Sequence, residues 1–245
     1  MGKTKIDWTE SVWNPVTGCS KISAGCKNCY AEIMTRRLKA MGQPKYYNGF
    51  DKVVCHESEI LKPYQWKKGR MIFVNSMSDT FHADVTNLFI QRMFFVMNQN
   101  QQHTFQILTK RSSRMSMMNN MGGLVWSDNI WAGVTVENNE KTDKIDDLRN
   151  TRAKVKFLSC EPLLSALPDL DLTGIDWVIV GGESGPHARP MKEEWVIDIR
   201  DQCQKAGAPF FFKQWGGVNK KKSGSLLQGK YYKEMPKSAK ASLLL

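Results

Sequence analysis

The sequence predicts an α/β domain built around a parallel β-sheet. From residue 71 onward, six apolar runs of strand length alternate with stretches of helical period. The runs are continuous, as is typical of strands that are covered on both faces. This alternation fits a full or partial (β/α) barrel and also an open doubly wound sheet. The predicted strands are residues 71–76, 104–110, 130–136, 155–160, 177–182 and 209–215.

Four predicted helices fill the gaps between these strands. Gly207 ends the last of them, at the point where a helix end favours a positive φ. The gap between the fourth and fifth strands, residues 161–176, contains two prolines and predicts a loop instead. The predicted helices are residues 85–99, 111–121, 138–150 and 192–207.

The N-terminal seventy residues follow a different pattern. Residues 6–28 are rich in Gly, Ser, Asn and Trp, and they predict a loop that follows at most a short strand. A helix that ends at Gly42 comes next, because apolar side chains recur at helical spacing at Tyr30, Met34, Leu38 and Met41. We expect residues 43–70 to be mostly loop, with a possible strand at 52–57.

The chain carries a net charge of +11 over 245 residues, and the charge is unevenly distributed. The segment from Arg36 to Arg70 contains nine Lys or Arg and three acidic residues. The segment from Val218 to Leu245 contains seven lysines and one acidic residue, Glu234. Such segments suit a polyanion such as nucleic acid, although a basic surface can also serve solubility alone. We expect one domain over residues 1–217 and a basic extension over 218–245 that contains a small hairpin.

No feature of the sequence predicts a membrane protein or an exported one. No apolar run approaches the roughly 20 residues that cross a bilayer, and the first ten residues lack the apolar core of a signal peptide. We therefore expect a cytoplasmic protein. Clustered cysteines in a reducing compartment hold metal or perform chemistry more often than they form disulfides.

Three of the six cysteines, Cys19, Cys26 and Cys29, lie within eleven positions. A loop with several close cysteines is typical of an iron–sulfur cluster, and three ligands on a four-iron cluster leave one iron open to a small molecule. Two alternatives stay open on these residues alone. One is a zinc site completed by Cys55 or His56, and the other is a redox dithiol at Cys26 and Cys29.

Polar residues follow nearly every predicted strand. The carboxyl ends of parallel strands are where barrels and open α/β sheets build their active sites, so this recurrence predicts a site at that edge. Lys213 ends a buried strand, where a lysine is costly unless an acidic group pairs with it. The strand-end residues are Asn75, Ser76, Ser78, Asp79, Thr109, Lys110, Thr135, Glu137, Ser159, Glu161, Gly181, Gly182, Glu183, Lys213 and Gln214.

Several segments together resemble a known family. The cysteine loop reads "TGCSKISAGCKNCYAE", and the later segments read "FVNSMSDTFH", "ILTKR", "GVTVEN", "SCEPLL", "WVIVGGESG" and "PFFFKQWGG". They resemble the phage-associated three-cysteine-motif family, which is similar to a divergent branch of the radical S-adenosylmethionine enzymes. The resemblance covers residues 17–217 and implies a partial parallel (β/α) barrel of about six strands, with its cluster loop at residues 17–30.

The resemblance also implies cofactors and roles for individual residues. It implies that Cys19, Cys26 and Cys29 hold a [4Fe–4S] cluster whose open iron binds S-adenosylmethionine, with Tyr30 near the adenine. The catalytic candidates Lys213, Glu183 and His82 are chosen instead by their positions at or near strand ends. On the same ground we expect the remaining contacts to the cofactor at Asn75, Ser76, Ser78, Asp79, Thr109, Lys110, Thr135, Glu137, Glu161, Gly181 and Gly182.

The predicted function is a radical S-adenosylmethionine enzyme that modifies or repairs a nucleic-acid base or a nucleotide. Its expected partners are that substrate, a reductant such as flavodoxin or ferredoxin and, as a further possibility, a partner protein. One alternative is a non-catalytic nucleic-acid-binding protein held together by zinc or by an iron–sulfur cluster. The other is a radical enzyme that acts on a peptide or a small metabolite.

Overall fold

The computed structural model describes residues 4, 6–219 and 223–237. Part of the predicted basic extension, residues 220–222 and 238–245, lies outside the described residues. Within the described residues, no helix is both long enough and apolar enough to pass through a bilayer.

The central element is a sheet of seven parallel strands that is curled into a half barrel. In chain order the strands are β1 (Ser11–Trp13), β2 (Val16–Thr17), β3 (Val54–Cys55), β4 (Met71–Val74), β5 (Thr104–Thr109), β6 (Ile130–Thr135), β7 (Lys156–Cys160), β8 (Trp177–Gly181), β9 (Phe210–Gln214), β10 (Leu226–Leu227) and β11 (Lys230–Tyr231). The strand order of the central sheet is β1-β4-β5-β6-β7-β8-β9, and every neighbouring pair is parallel. The predicted partial parallel barrel is therefore confirmed.

The strand of the sheet that was not among the six predicted runs, β1, lies within residues 6–28, where we expected a loop after at most a short strand. It has only three residues and no apolar run of its own, so its sequence carries little strand signal. Its register is fixed by tertiary pairing, in which Val12 lies beside Phe73 of β4. The strands β2 and β3 pair with each other outside the main sheet.

The helices that connect the strands of the sheet from residue 87 onward pack against the outer face of the sheet and agree with the predicted pattern. The third predicted inter-strand helix is broken: residues 139–141 form a short 3₁₀ turn, and the α-helix begins only at Lys144. The residues before Lys144 include Asn, Thr and Asp, whose side chains compete for backbone hydrogen bonds. The helices are α1 (Tyr30–Ala40), α2 (Glu57–Ile60), α3 (Asn87–Gln99), α4 (Ser112–Asn120), α5 (Lys144–Arg149) and α6 (Glu193–Ala206).

The two faces of the sheet bury separate apolar clusters. The larger cluster lies between the strands and the helices, and it includes the fully buried Cys160 and Cys203. The second cluster fills the concave interior near the amino ends of the strands. Because both faces are covered, the strands read as continuous apolar runs. The interior cluster consists of Trp8, Met71, Trp131, Val155, Phe157, Trp177, Ile179 and Phe211.

The C-terminal extension packs against the open edge of the sheet. After the hairpin β10–β11, the backbone N–H of Phe212 donates to the carbonyl of Tyr232 (2.9 Å), and Glu234 N–H donates to Phe210 (3.2 Å). The indole N–H of Trp177 donates to the carbonyl of Glu234 (2.9 Å). The predicted hairpin is confirmed, and the segment after it covers the edge of β9, where exposed backbone groups would invite aggregation.

We predict that Gly133→Ala destabilises the domain. Gly133 lies beside Phe157 in the interior, and a Cβ atom at this position would come within 2.3 Å of that ring. Overpacking of this kind typically costs about 1–3 kcal/mol, measurable as a lower urea midpoint. In the Phe157→Leu background the same substitution should cost less. An equal cost in both backgrounds would show that the ring is not the cause.

Candidate functional site

A cavity of about 660 Å³ opens at the carboxyl ends of the strands, above the interior aromatic cluster. Most of the predicted site residues line it, although they come from segments far apart in the chain. The predicted residues that line the cavity are Cys19, Cys26, Cys29, Tyr30, Asn75, Ser76, Ser78, Asp79, Thr109, Lys110, Thr135, Ser159, Glu161, Gly182, Glu183, Lys213 and Gln214.

Contacts at Gly18 and Cys19 hold the start of the cysteine loop in place. Gly18 has a φ of +83°, and a Cβ atom there would lie 2.1 Å from the carbonyl oxygen of Lys52, so only glycine fits. The hydroxyl of Ser78 donates to the carbonyl of Gly18 (2.6 Å), and Cys19 N–H donates to the carbonyl of Phe50 (2.8 Å). The helix α1 begins directly after Cys29.

Asp79 and Arg111 connect the cysteine loop to the ends of β4 and β5. Thr109 Oγ1 and the Lys110 N–H donate to the Asp79 carboxylate at 2.7 and 3.0 Å, and Arg111 Nη1 donates to it at 3.1 Å. The same guanidinium donates to Cys19 Sγ (3.5 Å) and to the carbonyl of Ser20 (3.1 Å). One buried ion pair therefore supports the loop.

A second buried ion pair lies behind the loop, formed by Lys144 Nζ and Glu137 Oε2 at 3.2 Å. Burial opposes ionisation of Glu137, but hydrogen bonding to Ser23 and the charge of Lys144 outweigh it and lower the pKa of the carboxyl. Glu137 is fully buried and does not line the cavity. Its position suits support of the loop, so the predicted contact from Glu137 to a cofactor finds no support in this geometry.

Glu183 lines the cavity, and its carboxylate already accepts several hydrogen bonds. Arg189 donates to it through Nε (2.9 Å) and through its backbone N–H (3.0 Å), and Asn28 Nδ2 donates at 2.9 Å. Burial opposes ionisation, but these hydrogen bonds lower the pKa of Glu183. Asn28 lies between Cys26 and Cys29, so this predicted catalytic residue is bonded to the cysteine loop.

The predicted residues His82, Asn75 and Gly181 have roles that differ from the expectation. His82 does not line the cavity; its Nε2 lies 2.7 Å from Ser20 Oγ behind the loop. Asn75 lines the cavity with a φ of +56°, but its side-chain oxygen accepts from Val16 N–H (3.0 Å). Gly181 lies under Glu161, and this contact explains why glycine occurs there.

The surroundings of the thiols differ. Burial raises the pKa of Cys19 although Arg111 opposes the shift. Burial also opposes ionisation of Cys26, but a backbone hydrogen bond from Ile22 and the charge of Lys110 outweigh it and lower the pKa of this thiol. Ser23 Oγ lies 3.6 Å from Cys26 Sγ. Two of the three thiols therefore have a hydrogen-bonding side chain beside them.

The cysteines can be tested as ligands of a metal group by donor type and by placement. Among the described residues, no set of three or more His, Cys, Asp or Glu side chains is arranged to hold a metal ion. Ligands of a single ion converge on one point, whereas each cysteine of a four-iron cluster binds a different iron atom. Three thiols that open on one cavity therefore fit the donor set of such a cluster better than that of one ion.

The two residues expected to complete a zinc site, Cys55 and His56, are not in the cavity. Cys55 pairs with Val16 and packs against the outer core, and His56 Nε2 lies 2.8 Å from Thr17 Oγ1. Neither residue lines the cavity.

Sequence reasoning did not identify several residues of the site. Arg111 directly follows Thr109 and Lys110 at a strand end, so the same signal extends to it. Asn28, Lys144 and Arg189 carried no such signal, because their partners are defined only by folding. The apolar floor of the cavity was not predicted either; it is lined by Trp8, Phe73 and Leu108.

Comparison with known proteins gives one match. A family model described as "Protein of unknown function (DUF5131)" matches residues 3–236. No curated protein and no solved structure matches the chain.

We predict that Asp79→Ala destabilises the protein and loosens the cysteine loop. It leaves Arg111 buried without its partner, which typically costs about 3 kcal/mol or more. Hydrogen exchange should then become faster in residues 18–30. Asp128→Ala is the matched control, because that carboxylate forms an exposed pair with Lys154 and should matter little. Unchanged exchange in residues 18–30 would contradict the supporting role of Asp79.

Proposed function

Since the chain belongs to the DUF5131 family, whose description assigns no activity, we propose from its geometry that it is a radical S-adenosylmethionine enzyme acting on a nucleobase. The observation that carries the proposal is the position of Cys19, Cys26 and Cys29. All three line one cavity at the carboxyl end of a parallel half barrel, where α/β proteins build their active sites. No described Cys or His lies in the cavity as a fourth ligand.

In this proposal the three cysteines hold a [4Fe–4S] cluster. Such a cluster, when bound and reduced, would supply the one electron that breaks the C5′–S bond of S-adenosylmethionine, which would give methionine and a 5′-deoxyadenosyl radical able to take a hydrogen atom from the substrate. A small cytoplasmic redox protein such as flavodoxin or ferredoxin provides the electron. Arg111 and Ser23 hold two of the sulfur atoms in place through hydrogen bonds.

The residues best suited to bind the cofactor are those whose polar groups are not already committed. Asp79 supports the loop through Arg111, and Glu183 is bonded to the loop through Asn28. Because Arg189 also donates to Glu183, the oxygens of both carboxylates are largely occupied. Lys110 lines the cavity without an ion-pair partner among the described residues, and its Nζ donates weakly to Thr135 Oγ1 (3.4 Å). We assign the anionic group of the cofactor to Lys110.

The support for a nucleic-acid or nucleotide substrate comes from the charge of α1. This helix contributes Tyr30 and Met34 to the cavity lining. Further along it, Arg37 and Lys39 are exposed and have no ion-pair partner among the residues that the structure describes. Basic side chains on a helix whose first turn lines the cavity suit a phosphate backbone that leads a base into the cavity.

The first test is cleavage of S-adenosylmethionine. The protein is reconstituted anaerobically with iron and sulfide, reduced with dithionite and given the cofactor. We expect 5′-deoxyadenosine from the wild type and none from Cys26→Ala, because a cluster held by two cysteines dissociates or is misplaced.

Cys55→Ala is the control for this test, because Cys55 does not line the cavity and the variant should keep the activity. Absence of product in both variants would point to a general effect on folding. A protein that binds zinc, or holds a cluster yet never cleaves the cofactor, would overturn the enzyme assignment and favour a non-catalytic nucleic-acid-binding protein.

The second test addresses the basic surface. Binding of a single-stranded oligonucleotide should weaken as salt rises. Replacing both Arg37→Gln and Lys39→Gln should lower the log–log slope by about 0.7 for each phosphate that the helix no longer neutralises. Lys205→Gln, exposed on α6, should leave the slope unchanged. A slope that the α1 substitutions do not alter would remove this helix from the nucleic-acid surface.

A further inference from the structure

One ion pair in the cavity takes no part in holding the cysteine loop. Lys213 Nζ lies 2.9 Å from Glu161 Oε1, and the two side chains are 19% and 14% exposed. Both residues line the cavity. They come from strands on either side of β8 and meet across Gly181, where a Cβ atom would lie 2.5 Å from Glu161 Oε1.

The pair keeps unused hydrogen-bonding capacity that faces the cavity. An ammonium group has three N–H donors, and Glu161 is the partner of the Lys213 ammonium among the described residues. Within the part of the chain that the structure describes, the second oxygen of Glu161 has only a long contact with Ser159 Oγ, at 3.5 Å. A fixed donor therefore stands directly beside a fixed acceptor on one wall of the cavity.

We propose that Lys213 and Glu161 recognise the Watson–Crick edge of an unpaired nucleobase. This inference rests on the proposed function and names the chemical group that the site accepts. Lys213 donates to a ring nitrogen or a carbonyl oxygen of the base, and Glu161 accepts from the neighbouring N–H or amino group. A base within a duplex has this edge occupied, so the site takes a free nucleotide or an unpaired base in a strand.

The geometry favours a base over a peptide. A trans peptide points its C=O and N–H in opposite directions, so one peptide group cannot meet a donor and an acceptor that stand side by side. A nucleobase presents both kinds of group along one edge. The apolar floor formed by Trp8, Phe73 and Leu108 suits the face of a flat ring.

Equilibrium binding to the full-length protein tests the proposal. Calorimetry is run with each nucleoside 5′-monophosphate, with ribose 5-phosphate and with the nucleotide methylated at the ring nitrogen of its Watson–Crick edge. We expect at least one nucleotide to bind and its methylated counterpart to bind at least about tenfold more weakly, because the methyl group blocks hydrogen bonds to charged groups. Equal binding of ribose 5-phosphate or of the methylated nucleotide would overturn the proposal.

Three substitutions test the pair of Lys213 and Glu161: two remove one charge each, and the third displaces the carboxylate. Lys213→Gln and Glu161→Gln should each weaken the best nucleotide at least about tenfold. Gly181→Ala, which displaces the carboxylate without changing any charge, should do the same. Lys154→Gln, which removes a lysine from an exposed ion pair, is the matched control and should bind like the wild type. If a variant fails to fold, the methylated nucleotide on the wild type still decides the question.

Two further arms separate this inference from the proposed function and identify the source of the base. Saturating S-adenosylmethionine should leave nucleotide binding intact, whereas competition would assign the pair to the adenine of the cofactor and overturn the inference. If the protein forms 5′-deoxyadenosine but binds no nucleotide through its Watson–Crick edge, this inference is wrong and the proposed function stands. A single strand that binds tighter than the mononucleotide identifies nucleic acid as the source, and equal affinity identifies a free nucleotide.

Discussion

The buried carboxylate of Asp79 is the group on which the arrangement of the cavity depends. It accepts hydrogen bonds from the end of β5 and from Arg111, and Arg111 in turn donates to Cys19 and Ser20. A loop of small and polar residues has little apolar surface of its own to hold it in place. The ion pair of Asp79 and Arg111 therefore holds the loop in place. Its side chains are little exposed, so water competes weakly with it.

The interior aromatic cluster is the second constraint, because it decides where the cavity can be. Trp131, Phe157 and Trp177 fill the half barrel near the amino ends of the strands, and Trp8 packs edge-on against Trp177 at a centroid distance of 6.1 Å. The interior is therefore closed at that end and open at the other. The polar side chains that follow the strands therefore share one cavity at the open end, and the cysteine loop lies over it.

The three strand-end glutamates illustrate how far sequence reasoning reaches. Each follows a buried strand, and all three were predicted to contact a cofactor or to act in catalysis. The structure gives them different surroundings: Glu137 is fully buried with Lys144, Glu183 is bonded to Arg189, and Glu161 faces the cavity with Lys213. The sequence signal was the same for all three, because it reports position along a strand and not the partner that lies beside that position in the fold.

The sequence by itself determined the strands from β4 to β9, the helices between them and the edge at which polar residues collect, because these follow from local apolar pattern. It also brought the three cysteines together, since they are neighbours in the chain. Only the tertiary structure decided the pairing of β1, the partners of each carboxylate and the meeting of Lys213 with Glu161 across Gly181. Most of these contacts join residues that are far apart in sequence, as Asn28 and Glu183 are at a separation of 155 positions, and no local pattern encodes them. Glu137 and Lys144 are close in sequence, but a 3₁₀ turn lies between them, so no regular spacing predicts their contact.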